Sequence, residues 1–226
     1  MPIIHLCILY LYSGICVCTV MLYGNGYLPV YRFQHSFVIG GDSNRSITNM
    51  VVSGMGVWLS LQNSAVLRLV HSITYEILAE VNTAPAVTKM LSSCDDIIRQ
   101  HKAACLRVTS LLAVKDLLWI GTSAGVVLTM TIPAVVANTS KLVTLPVPIG
   151  VPHGHTGHVR FLTLVGHLPQ NFSKQRRQSL NQRKMSSSGK LLLISGGDGY
   201  EDFRSTASSE VAGREDSTNH LLLWHV

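Results

Sequence analysis

Short apolar runs separated by turns of small residues recur along this chain. Residues 118–128, Leu-Trp-Ile-Gly-Thr-Ser-Ala-Gly-Val-Val-Leu, read as a strand, a tight turn and a second strand. Shifting back by 61 residues gives 57–67, Val-Trp-Leu-Ser-Leu-Gln-Asn-Ser-Ala-Val-Leu, which repeats the pattern position for position and sets Trp58 against Trp119. Shifting forward by 74 sets Leu193 against Trp119, and 192–199 repeats the first half. Residues 20–31 are a looser copy around the turn Gly24-Asn25-Gly26. Further strands are expected before two of the copies, at 46–52 and 106–113, and after them, at 75–81 and 142–147. The pattern therefore predicts units of about four short antiparallel strands, each of which must stack on a neighbour to cover its apolar faces.

Helical spacing is scarce. It is expected once, over about 93–104, where Cys94, Ile97, Ile98 and Cys105 fall at helical intervals, with Asp95 and Asp96 early and Lys102 late. Residues 169–190, rich in Ser, Gln, Lys and Arg, read as an inserted basic loop, and 204–219 as a second polar insertion.

The first 31 residues carry no charge, and 3–23 form an apolar run of roughly transmembrane length. Ser13-Gly14 interrupts it, and neither a basic leader nor a clear cleavage site accompanies it. We read 3–23 as buried strands, or as a start foreign to the fold, in preference to a membrane or signal segment. Residues 1–45 are accordingly an uncertain segment with an incomplete unit, ahead of the repeating region 46–226.

Composition narrows the class. Of 226 residues, 47% are apolar and 13% charged, which excludes a disordered chain or a long charged helix. Basic residues exceed acidic by 18 to 12, but six of the basic ones lie in 174–190, where there is no acid. The rest is balanced, so the excess describes one loop and not a nucleic-acid-binding face. Five cysteines form no Cys-x-x-Cys pair, which favours free thiols in a reducing compartment. Three glycosylation sequons, at Asn44, Asn138 and Asn171, are little above chance in a chain so rich in Ser and Thr.

His155, Ser195 and Asp198 invite comparison with a hydrolase triad, but Ser195 precedes Gly196-Gly197 with no helix pattern to follow, unlike a nucleophile elbow. His153, His155 and His158 lie in a Gly-rich turn with no nearby acid or Cys to complete a metal shell. No phosphate-binding loop is present, and no cofactor is expected. Arg176-Arg177-Gln178-Ser179 makes Ser179 a candidate for a basophilic kinase.

Residues 154–162 (Gly-His-Thr-Gly-His-Val-Arg-Phe-Leu), 192–199 and 221–225 (Leu-Leu-Leu-Trp-His) resemble the opening, second strand and closing strand of a WD-repeat blade, with His225 where Asp is usual. Longer stretches, 84–91, 94–109, 118–129, 152–163, 195–204 and 216–224, resemble the C-terminal region of Rho guanine nucleotide exchange factors. The Leu-Trp-x-Gly-Thr-x-x-Gly-Val strand pair is shared with their type-10 branch and with kinase-interacting scaffolds. The resemblance covers about 46–226. It implies an all-β fold, a partial WD40-like β-propeller of about four blades with one short connecting helix. It further implies a hydrogen-bonded structural chain of His155, Ser195, Asp198 and Trp224. Members of the family promote GTP loading of Rho GTPases in actin signalling through Dbl-homology and pleckstrin-homology domains, which this chain does not supply. The expectation is a cytoplasmic, non-enzymatic interaction module, a fragment of a larger protein, that binds protein partners through propeller loops. It would meet a Rho GTPase only through domains elsewhere. The alternative is a secreted or membrane-anchored propeller.

Overall fold

A computed structural model describes residues 46–166, 191–204 and 218–226 in full and, before them, the backbone of three strands. Those strands are β1 (Ile3–Leu11), β2 (Gly14–Leu22) and β3 (Val30–Phe37), an antiparallel sheet in chain order. Within the apolar run 3–23, Ile3–Leu11 and Gly14–Leu22 are paired strands, with Leu11 opposite Gly14. Among the described residues no helix is long and apolar enough to cross a membrane.

The next sheet is β4 (Ile47–Ser53), β5 (Gly56–Leu61), β6 (Val66–His71) and β7 (Ile77–Asn82), each antiparallel to the last. Two helices follow, α1 (Ala84–Met90) and α2 (Asp96–Ala104), joined through a short 3-10 turn at Leu91–Ser93. The sequence pattern predicts only the second. α1 is too short to show a period, and it is fixed instead by packing: Pro85 sits in its first turn, and Val87 is buried with Leu91 just beyond. α2 is capped by the Asp95 carboxylate, which accepts from Ile97 N at 2.8 Å. None of its residues is buried.

A second four-stranded meander comprises β8 (Val108–Val114), β9 (Leu117–Thr122), β10 (Val127–Thr131) and β11 (Ile149–Gly150). Its outer strand is not the expected 142–147. Pro146 and Pro148 remove ladder donors there, so pairing begins only at Ile149, opposite Thr129. A two-stranded ribbon, β12 (His153–Gly154) with β15 (Glu201–Asp202), stands beside the last sheet. That sheet orders β13 (Val159–Gly166), β14 (Leu191–Asp198) and β16 (Asn219–His225).

The sheets stack as blades. The first strands lie side by side, β4 against β8 and β8 against β13. One apolar layer, with Trp58, Leu67, Leu69, Ile120 and Leu128, fills the space between the sheets β4–β7 and β8–β11. A second, with Trp119, Val127, Val159 and Leu193, fills the space before the last sheet. Burying each such side chain contributes about 1.5–3 kcal/mol.

Trp58 and Trp119 are equivalent, opposite Val51 and Leu112 of their neighbouring first strands. Leu193 does not continue the series. Measured from the first-strand pairing, Thr122 opposite Val108 and Gly197 opposite Val159, the equivalent of Trp119 is Ile194. The expected shift of 74 is one residue short, and a slip of one reverses the face. Leu193 is fully buried, as expected of a core residue, but it faces back toward Trp119 while Ile194 lies on the open side, half-buried.

Candidate functional site: a polar mouth at the first strands

The first strands β4, β8 and β13 of the last three sheets each carry a β-bulge one residue in from their start. The register jumps from Ile47 to Asn49, from Val108 to Ser110 and from Val159 to Phe161, leaving Thr48, Thr109 and Arg160 as the extra residues. A bulge bends the strand and re-aims the extra side chain. Because the strands are neighbours around one axis, the three side chains converge on a single open cleft of about 570 Å³. Arg107 and His158, each just ahead of its strand, line it too, as do Asn49 and the turn residues Gln62 and Asn63.

The cleft is cationic at one point. Arg160 donates to both carboxylate oxygens of Asp198, at 2.9 and 2.8 Å. This pair holds the Asp198 carboxyl below its usual range, chiefly through the hydrogen bonds from Arg160. Arg107 has no such partner among the described residues; its backbone alone is tied, by N–H donation to Ser123 Oγ at 2.9 Å. His158 titrates below the ordinary imidazole value because of burial first and then the charges of Arg107 and Arg160. Thr109 Oγ1 is buried without a hydrogen-bond partner.

The sequence-predicted residues lie behind this mouth. His155 Nδ1 donates to the Gly199 carbonyl at 2.9 Å, which fixes the tautomer and leaves Nε2 to accept from Ser195 Oγ at 3.1 Å. Trp224 Nε1 donates to the same Ser195 oxygen at 3.2 Å. The relay runs Trp224, Ser195, His155, and it ties β16 to β14 and to the turn after β12. Ser195 stands where the two preceding sheets carry Leu59 and Ile120, neither of which can build such a relay. The turn is held from the far side at Gly125, whose carbonyl accepts from His155 N at 2.9 Å. Gly125 adopts φ +85°, and a Cβ there would lie 1.8 Å from the His155 carbonyl oxygen.

Asp198 is not a side-chain member of that relay. Its carboxylate turns to Arg160, and its backbone joins the turn: the carbonyl accepts from Thr156 Oγ1 at 2.9 Å and Gly157 N at 2.8 Å, and the N–H donates to the His158 carbonyl at 3.2 Å. Ser195 and His155 are fully buried, so the relay is built to connect strands; its serine oxygen faces no cleft. Ser179 lies outside the described residues.

His153, His155 and His158 diverge. His153 meets Tyr200 Oη through Nδ1 at 3.0 Å and accepts from Arg204 at 2.8 Å, while His155 is in the relay and His158 in the cleft. Among the described residues no group of metal-ligating side chains is assembled. Sequence reasoning missed Thr48, Thr109, Arg107 and Arg160 because a bulge leaves no mark on an apolar–polar pattern. Their one signal is positional: the pairs Ile47-Thr48 and Val108-Thr109 recur at the repeat shift of 61.

The WD40 repeated-domain family matches residues 19–190. The chain is 47% identical to Rho guanine nucleotide exchange factor 17 of Homo sapiens, over 86% of this chain and 10% of that protein, and the Mus musculus protein matches equally. It is 34% identical to Rho guanine nucleotide exchange factor osg-1 of Caenorhabditis elegans, over 80% of this chain and 15% of the relative. JNK-interacting protein 3 of Drosophila melanogaster is 27% identical over 85% of this chain and 16% of its own. The chain spans about a tenth of the length of the first two of these relatives.

Proposed function

The chain belongs to the WD40 repeated-domain family, and on that premise we propose that it is the regulatory propeller module of a Rho guanine nucleotide exchange factor. In this reading it docks protein partners at the mouth of its first strands, and docking localises or restrains the exchange domains. The module works in the cytoplasm, at the cytoskeleton or membrane, and carries out no chemical step of its own. The similarity to exchange factors supports the parentage. The observation that carries the docking role is the convergence of three bulged residues, one from each of three successive blades, on one cleft. A bulge weakens a ladder, and three at one register serve a surface rather than a core.

The test has two parts. The full 226-residue chain and its Thr48→Ala/Arg107→Ala/Arg160→Ala variant are used to capture proteins from cell extract, with quantitative mass spectrometry. The reading expects a defined set of partners to be lost from the variant. In cells, the parent exchange factor with and without the stretch matching residues 46–226 is compared for location and for RhoA-GTP level. The reading fails if capture is unchanged and neither location nor RhoA loading moves.

A further inference from the structure

Resting on that docking reading and deepening it, we infer that the mouth recognises an acidic peptide segment of its partner, seating one side-chain carboxylate on the Arg107 guanidinium. Charge decides the ligand class. Among the residues lining the cleft there is no Asp or Glu, and there are two guanidinium groups and one imidazole. Arg160 is already neutralised by a two-point pair with Asp198. His158 stays neutral near pH 7, since burial, Arg107 and Arg160 all lower its pKa. That leaves one cation with an open planar fork, Arg107, which matches a carboxylate in charge and in two-point geometry. A phosphate dianion would ask for a second free cation that the cleft does not present.

The neutral groups point to a peptide rather than a free anion. Thr109 Oγ1, on the bulge two residues along from Arg107, is buried without a hydrogen-bond partner just behind the cleft wall. Gln62 and Asn63 bring amides to the rim, and Asn49 adds an amide whose Nδ2 already donates to Ser60 Oγ at 3.0 Å. Asn63 sits at the turn between β5 and β6 at φ 53°, with no side-chain hydrogen bond among the described residues. Gln62 Oε1 already accepts from Ser46 Oγ at 3.0 Å, and its side-chain N–H groups have no partner among the described residues. Amides both donate and accept, as the N–H and C=O groups of a peptide backbone require, whereas a bare anion uses donors only.

The experiment uses the full 226-residue chain and four fluorescein-labelled dodecapeptides of one Gly/Ser frame, carrying Glu and Asp, Gln and Asn, phosphoserine, or Lys. Fluorescence anisotropy is expected to show the acidic peptide binding at least tenfold more tightly than the amide one. Arg107→Gln should lose at least tenfold. Arg204→Gln, outside the cleft and paired with Asp202, should leave binding unchanged. Arg107→Glu should acquire binding to the Lys peptide, a gain that a misfolded variant cannot give. Equal affinity for acidic and amide peptides, insensitivity to Arg107, a tenfold preference for phosphoserine, or tighter binding to phosphatidylserine vesicles would each overturn the inference. Failure here with partner capture still lost in the Thr48→Ala/Arg107→Ala/Arg160→Ala variant leaves the docking reading standing. Failure of both removes the site.

Discussion

Trp119 and Leu193 share one buried layer, which they enter from opposite sheets. Leu193 is fully buried, while its neighbour Ile194, the register equivalent of Trp119, is half-buried on the open side of the last sheet. Truncation should therefore separate the two. Leu193→Ala is expected to cost about 2–5 kcal/mol through lost burial and a residual cavity. Ile194→Ala should cost no more than about 1–2 kcal/mol, because it deletes side-chain surface that is already part-exposed. Urea unfolding midpoints at constant m-value give both numbers. The reverse order would mean that the last blade is paired one residue out.

Ser195 Oγ has two partners that depend on it. Removing it leaves Trp224 Nε1 without an acceptor and the fully buried His155 Nε2 without a donor. Ser195→Ala should cost about 1–3 kcal/mol, the penalty for stranded buried polar groups. The same burial means that a fluorophosphonate probe should label the native chain no more than the Ser195→Ala variant. Labelling lost on that substitution would revive the hydrolase reading.

His155 gives the fold an acid limit. Its pKa is lowered from 6.5, chiefly by burial and against the raising effect of the Gly199 carbonyl. His158 is shifted the same way. In the unfolded chain both imidazoles take up a proton near 6.5, while in the fold they resist it. The unfolded state therefore binds more protons as pH falls through that value. Stability should be level above about pH 7, drop as pH falls below 6.5, and flatten again once the folded imidazoles titrate. His155→Gln should be less stable at neutral pH and show a shallower fall. The check is chemical denaturation at half-unit pH steps, and a flat profile in the wild type would refute it.

Much of this was legible in the sequence, for a physical reason. Apolar alternation around small-residue turns is demanded wherever a strand pairs and stacks, so β5, β6, β9, β10 and β14 show themselves, and the Trp58–Trp119 repeat sets the register between two blades. The register of the third blade was not legible. In Leu191-Leu192-Leu193-Ile194 every residue is apolar, so no alternation distinguishes one face from the other. α1 has only two turns, too few for a period, and the short outer strand β11 is placed by the prolines at 146 and 148 rather than by apolar pattern. His155, Ser195 and Trp224 could be recognised because that blade resembles its family closely. The polar mouth could not, because it is made by bulges, and a bulge is a property of pairing between two strands rather than of either strand alone.

The open side of the last sheet predicts how the isolated chain behaves in solution. Phe161 and Val165 on β13, and Leu221 and Leu223 on β16, are 44%, 50%, 61% and 60% exposed. They alternate with Leu162, Leu222 and Trp224, so they share one face, together with Leu192 and Ile194. Single exposed leucines are ordinary, but an apolar face beside the edge of β16, which pairs with no further strand among the described residues, favours association. We expect the weight-average mass by sedimentation equilibrium to rise with concentration in the micromolar range. Leu221→Lys/Leu223→Lys should return the chain toward a monomer. The far-ultraviolet spectrum and unfolding midpoint should be nearly unchanged, because both side chains already face solvent. A wild-type chain that sediments as a monomer throughout would mean that this face is covered within the chain itself.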